Sequence, residues 1–199
     1  MAGSFPISTA KFESLGIKSI QNTIISKTVS GKKLARQIDG QRWGFTARII
    51  TAKRSDVYGE LMAFIIKQRS GKENFTIIPP EVEDARGTAS GTPNGTASAG
   101  DTSITLGGSG SGTLKAGDMI KFANHDKVYM VVADQSDIST GTLTIEPPLT
   151  TAVSSIDITY DNVPFTVHLT NDIQEFGVAG ADKDGNALYQ FEFDVEESL

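Results

Sequence analysis

Chemistry in this chain would have to start from two histidines, because it contains no cysteine. A disulfide framework and a thiolate metal site are therefore excluded. His125 falls in a polar turn, and His168 takes the polar position between Val167 and Leu169 in an alternating strand. Neither has a Ser at a spacing that suggests an activated nucleophile, so both read as surface residues. Asp118, Asp126, Asp134 and Asp137 qualify as paired acids of a hydrolase by count alone. Asp182-Lys183-Asp184-Gly185-Asn186 begins like a calcium loop. The sixth and twelfth positions of that loop, Ala187 and Phe193, are not the required glycine and glutamate, which leaves a hairpin turn. Gly107, Gly108, Gly110 and Gly112 are spaced loosely like a phosphate cradle, yet no helical pattern follows them, and they read as a flexible loop. The sequence thus offers no catalytic, cofactor or metal set.

Charge is the next candidate. Lys32, Lys33, Arg36, Arg42, Arg48, Lys53 and Arg54 cluster in one stretch and invite a nucleic-acid reading. Few aromatics are interleaved for stacking, and the net charge of the chain is −6, so solvated strand faces or salt bridges between subunits fit better. The charge is also divided. Residues 1–80 carry 13 basic and 5 acidic side chains (+8), and residues 81–199 carry 5 and 19 (−14). Halves of opposite sign can attract within a subunit or between neighbours.

The elements that must position these residues are mainly strands. Ser19 to Val29 is rich in β-branched residues, and Ser30-Gly31-Lys32-Lys33 turns the chain. Trp43, Phe45, Ala47 and Ile49 alternate with polar or small residues through Arg42–Ile50, the mark of a strand with one buried face. Asp39-Gly40 suits a turn before it. A helix is expected next, with Ser55 as N-cap and Val57, Leu61, Phe64 and Ile65 on one face. Lys67 and Arg69 sit at its end, and Gly71 terminates it. Phe75–Ile78 is a strand stopped by Pro79-Pro80.

Composition shifts at Glu81, and from Gly87 to Gly112 the chain reads as linker and loop apart from Thr102–Leu106. Short strands over 119–122, 128–133 and 143–145 predict a small barrel or sandwich. Its core would draw on Leu114, Ile120, Phe122, Val128, Met130, Val132, Leu143 and Ile145. Phe165–Leu169 and Tyr189–Val195 alternate again, with Asp184-Gly185-Asn186 as the turn between them. The expected fold is mainly β: a β-sandwich belt domain with one packed helix (1–85 and 162–199) and an inserted β-barrel or sandwich module (86–161). No apolar run approaches the roughly 18 residues needed to cross a bilayer, and the first residues lack a signal-peptide pattern.

Several segments together resemble one family. They are Phe5-Pro6, Phe12-Glu13-Ser14-Leu15, Ser30-Gly31 with Arg36, and Gly40-Gln41-Arg42-Trp43, followed by the helix ending in Ala63–Gly71 and by Phe75–Pro80. Phe165–Leu169, Gln174-Glu175-Phe176 and Tyr189–Val195 complete the set. The pattern resembles the distal tail proteins of tailed phages, including the minor tail protein M type, and it covers most of the chain. The resemblance implies a structural virion protein of the tail tip, not an enzyme, assembled in the host cytoplasm. It implies a homo-oligomeric ring, commonly a hexamer, joining the tail tube to the baseplate hub, with the genome passing through the lumen without specific binding and no membrane partner. Arg36, Arg42, Arg48, Glu192 and Asp194 are the expected subunit-interface residues. Asp172, Glu175, Glu192 and Asp194 are expected to face the lumen. The alternative is a receptor- or carbohydrate-binding accessory module, for which the insert offers three aromatics, Phe122, Tyr129 and Tyr160.

Overall fold

The structure is a computed structural model that describes residues 3–6, 12–38 and 40–199. Asp39, half of the expected Asp39-Gly40 turn, lies outside the described residues. The first strands are β1 (Phe12–Ile20), β2 (Thr23–Lys27), β3 (Lys33–Gln37) and β4 (Arg42–Lys53). Helix α1 (Gly59–Lys67) and β5 (Phe75–Ile77) follow. Next come β6 (Pro93–Ala97), β7 (Ser103–Gly108), β8 (Met119–Phe122), β9 (Val128–Val131), β10 (Thr142–Glu146) and β11 (Val153–Thr159). The chain closes with β12 (Phe165–Leu169), β13 (Gly177–Ala181) and β14 (Ala187–Glu197). The protein is mainly β, with one helix and a closed six-stranded barrel, as the sequence leads one to expect.

The large sheet runs β1-β4-β14-β12-β5, with β13 beside the first half of β14. Its pairings are antiparallel, and Trp43, Phe45, Ala47 and Ile49 of β4 lie on the same face as Phe191, Phe193 and Val195 of β14. That face is the core. Leu61 and Ile65 of α1 pack onto it, fully buried, with Val57, Met62 and Phe64 at the margin. The alternation in β4 therefore does what its period requires.

The helix starts later than its sequence suggests. Ser55 does not cap it: residues Arg54–Tyr58 form a wide irregular turn, with Asp56 at φ −89°, ψ −108°, and α1 begins at Gly59. Tyr58, completely buried, explains the detour. It stacks on Tyr189 and donates its phenol O–H to the Gln190 carbonyl at 2.7 Å. The left-handed turn after the helix falls on Arg69 (φ 53°), not on Gly71. A Cβ on Gly71 would stand 2.6 Å from the Leu169 carbonyl oxygen, so there glycine serves close approach.

The barrel closes in the order β10-β7-β6-β11-β8-β9. One of its strands, β6, comes from material expected as linker, whereas β7 contains the strand-like Thr102–Leu106 segment and runs two residues beyond it. Gly87–Thr92 and Gly107–Thr113 run backbone against backbone, with Ser90 and Ser111 exchanging two N–H···O bonds of 2.9 Å. A Cβ at Gly87 would meet the Thr113 carbonyl oxygen at 1.9 Å, and one at Gly112 the Thr88 oxygen at 2.1 Å. Small residues are used here for contact, not flexibility. The barrel core holds Leu114, Ile120, Phe122, Leu143 and Ile145 as expected. Val128 and Met130 instead point out of the barrel into the sheet core, and Val132 is exposed.

Segment 19–29 is also two strands, not one: β1 starts at Phe12 and ends at Ile20, and β2–β3 is a separate hairpin. Asp184-Gly185-Asn186 turns the chain between β13 and β14, because the Gly-Val-Ala-Gly-Ala strand is recruited by pairing rather than by its own propensity. Among the described residues no helix is long and apolar enough to cross a membrane.

Candidate functional site

The residues best placed for chemistry brace turns. Asp118 accepts the N–H groups of Arg86 (2.9 Å) and Lys115 (2.7 Å), and Asp134 accepts those of Ala116 and the Lys115 side chain, both at 2.9 Å. Asp137 caps Ser139 at 2.8 Å, and Asp126 pairs with Lys121 at 2.8 Å. Asp182 takes the N–H groups of Asp184 and Asn186 (2.9 and 2.8 Å) and the ammonium of Lys53 (2.5 Å). The Asn186 amide, with help from Lys53, holds its carboxyl well below the ordinary value. This is the geometry of a side-chain-stabilised hairpin turn.

His125 is not the free surface residue that its polar turn suggests. It is half-buried, stacks on Phe122, and bonds Tyr129 Oη at 2.8 Å and Asn124 Oδ1 at 2.7 Å. Burial, seconded by Lys121, pulls its pKa down. Phe122, Tyr129 and Tyr160, the insert's aromatics, all lie inside the barrel. Among the described residues no group of three or more His, Cys, Asp or Glu side chains could hold a metal.

What the structure builds instead are surfaces and a joint. The outer face of the sheet carries four of the five residues that the sequence singles out for a subunit interface. Arg42 and Arg48 stand on β4, and Glu192 and Asp194 on β14, with Glu192 opposite Arg48 and Asp194 opposite Thr46. Most of this charge is matched within the subunit. Arg42 meets Glu196 at 3.1 Å, Arg48 meets Glu13 at 3.5 Å and Gln190 at 2.6 Å, and Asp194 meets Lys18 at 3.3 Å and Thr46 at 2.5 Å. The opposed halves of the chain are thus partly neutralised across one sheet. Glu192 is the exception: it has no ion pair or side-chain hydrogen bond among the described residues.

The joint between barrel and sheet escapes any local reading of the sequence. Glu197, at the end of β14, is buried against Lys127, which precedes β9. Lys127 Nζ also donates to Gln41 Oε1 at 2.8 Å and lies 5.9 Å from the centre of the Trp43 ring. Glu197 accepts the backbone N–H of Trp43 (3.1 Å) and of Val128 (2.8 Å), and the Trp43 indole N–H donates to the Val128 carbonyl at 2.9 Å. Burial pulls the Lys127 ammonium below its ordinary pKa, and Glu197 opposes that pull. Met119 and Val128 complete the contact by lying in the sheet core. The chain passes into and out of the barrel side by side, with Ala85 N–H on Asp161 Oδ1 at 3.0 Å.

The β2–β3 hairpin carries the fifth expected residue, Arg36. Every residue of both strands is exposed, including Ile24, Ile25 and Leu34, and Val29 at the turn and Ile38 at its base are exposed as well. At the other end of the sheet, Glu175, Phe176, Val178, Ala179, Gln190 and Glu192 line most of an open groove of about 610 Å³ beside Arg48.

A family model described as "Distal tail protein pb9, B domain" matches residues 83–160. No curated protein matches the chain. The family match covers the barrel and the segment that leads into it. It supports the resemblance read from the sequence and a structural role in the virion of a tailed phage.

Proposed function

We propose, taking a distal-tail B domain in the middle of the chain as premise, that this protein forms a homo-oligomeric ring at the tail tip. The ring, hexameric as is common for the resembled family, joins the tail tube to the baseplate hub. Residues 1–85 and 162–199 make the belt from which the ring is built, and 86–161 make the module carried on it. The observation that supports this reading best is a sheet with open edges, β1 on one side and β13 on the other, each paired with only one strand among the described residues. An uncovered edge is a template for another chain, and a head-to-tail contact repeated by rotation closes into a ring. Arg36, Arg42, Arg48, Glu192 and Asp194 belong to the subunit contact. Asp172, Glu175, Glu192 and Asp194 lie toward the channel, where like charge keeps the passing genome from adhering. Assembly takes place in the host cytoplasm, and the product is shape rather than turnover.

Native mass measurement and negative-stain imaging, alone and with added tail-tube protein, test this directly. Closed rings are expected in at least one of the two conditions. A monodisperse monomer in both, with no co-assembly onto tubes, overturns the reading.

A further inference from the structure

Building on the ring reading, we propose that the β2–β3 hairpin of one copy seats in the Glu175–Glu192 groove of a second copy, with Arg36 paired to Glu192. A two-stranded hairpin by itself is marginal in water, and this one carries apolar side chains on both of its surfaces. The register sets Ile24 opposite Arg36, and Ser26 opposite Leu34, on one surface, with Ile38 in phase; Ile25 and Ala35 share the other. Ile24 is 56% exposed and Leu34 49%. So much exposed apolar surface on a thin arm calls for a cover.

Charge selects which cover. Residues 22–38 contain Lys27, Lys32, Lys33 and Arg36 and no acidic residue. Lys27, Lys33 and Arg36 form no ion pair among the described residues, and neither do Glu175 and Glu192 in the groove. Elsewhere on the same face Asp194 and Glu196 are each matched within the subunit. The arm therefore offers unmatched cations and the groove unmatched anions, on two separate surfaces. Apolar partners accompany both: Ile24, Leu34 and Ile38 on the arm, and Phe176 with Val178, itself 63% exposed, in the groove.

These surfaces do not meet within the subunit, where every residue of both arm strands is exposed and none lines the groove. The arm leaves the sheet next to the Ile20–Arg42 pair, whereas the groove lies by Arg48, six residues along β4, a distance of about 20 Å. A second copy turned head to tail brings them together. The same contact would place the arm against β13, whose outer edge is unpaired among the described residues.

The absence of cysteine makes the test clean. In an L34C/V178C variant, mild oxidation is expected to give a ladder of covalently linked subunits, and an L34C/D101C control none. Charge exchange gives a second measurement. R36E and E192R are each expected to weaken self-association on the order of tenfold, and R36E/E192R together to restore it. Wild-type rings with neither ladder nor restoration would overturn the docking and leave the ring standing. A wild-type chain that never assembles would overturn both. Flotation of the protein with anionic vesicles, lost in R36E while ring formation is unchanged, would assign the arm to lipid and overturn the proposal as well.

Discussion

At the scale of single residues, the most consequential side chain is Glu197. Its carboxylate holds two backbone N–H groups and a buried ammonium at once. Lys127→Met removes only the cation and leaves the carboxylate desolvated, so it should cost about 3–5 kcal/mol in denaturant unfolding. Combining it with Glu197→Gln should cost clearly less than the sum of the two single changes, because the pair acts as one unit. Additive losses would show that the two groups do not couple. Asp182 makes a different test. Its folded pKa lies below the ordinary 3.8, so between the two values the unfolded chain holds more protons than the native one. The stabilisation of its turn is complete above about pH 4 and fades as the pH falls further. Protection of the Asp184 and Asn186 amides, whose N–H groups donate to this carboxylate, measured against the intrinsic exchange rate at each pH, should fall over that range in the wild type and stay level in Asp182→Asn. None of these roles could be read locally. Lys127, Gln41 and Glu197 each look like ordinary solvated residues, and only contacts across 70 or 86 positions make them partners.

At the scale of elements, the strands that follow their own alternation were legible and the recruited ones were not. β4, β12 and β14 announce a buried face through Trp43, Phe165 and Phe191 and their neighbours two residues on. β6 and β13, built from Pro, Asn, Gly and Ala with little else, have no such signature. They are strands because a neighbour offers a ladder. The glycines around the barrel extend the point. Gly112→Ala combines φ +86° with a carbonyl oxygen 2.1 Å from the new Cβ, and should destabilise the barrel by about 2–4 kcal/mol. Gly100→Ala, at φ +91° in open space, should cost only about 1 kcal/mol. Thermal unfolding of the two variants distinguishes a contact role from a merely conformational one. Equal losses would refute the distinction.

At the scale of the whole molecule, two strands of the barrel also help to build the core of the sheet. β8 and β9 send Ile120, Tyr129 and Val131 into the barrel and Met119 and Val128 into the sheet. A chain lacking residues 86–161 should therefore melt well below the full protein or aggregate, since the sheet loses part of its cover and Glu197 its cation. A shortened chain that unfolds cooperatively at the original temperature would show that the module is dispensable to the belt. The sequence revealed the change of composition at Glu81, and with it the module. It could not reveal that β8 and β9 serve both cores, because a strand's second face is read correctly only when its neighbour is known.

The central position of β14 also carries a consequence for how the protein is made. A ribosome releases β1 and β4 long before the strand that must lie beside β4, and more than a hundred residues separate the two. The barrel's six strands, contiguous in sequence, are complete in that interval and can fold as a unit during synthesis. The nascent sheet meanwhile waits with β4 half-paired, vulnerable to wrong neighbours. Emergence of β14 then closes the sheet and sets Glu197 against an already formed barrel, so the joint forms only after both of its halves have been made.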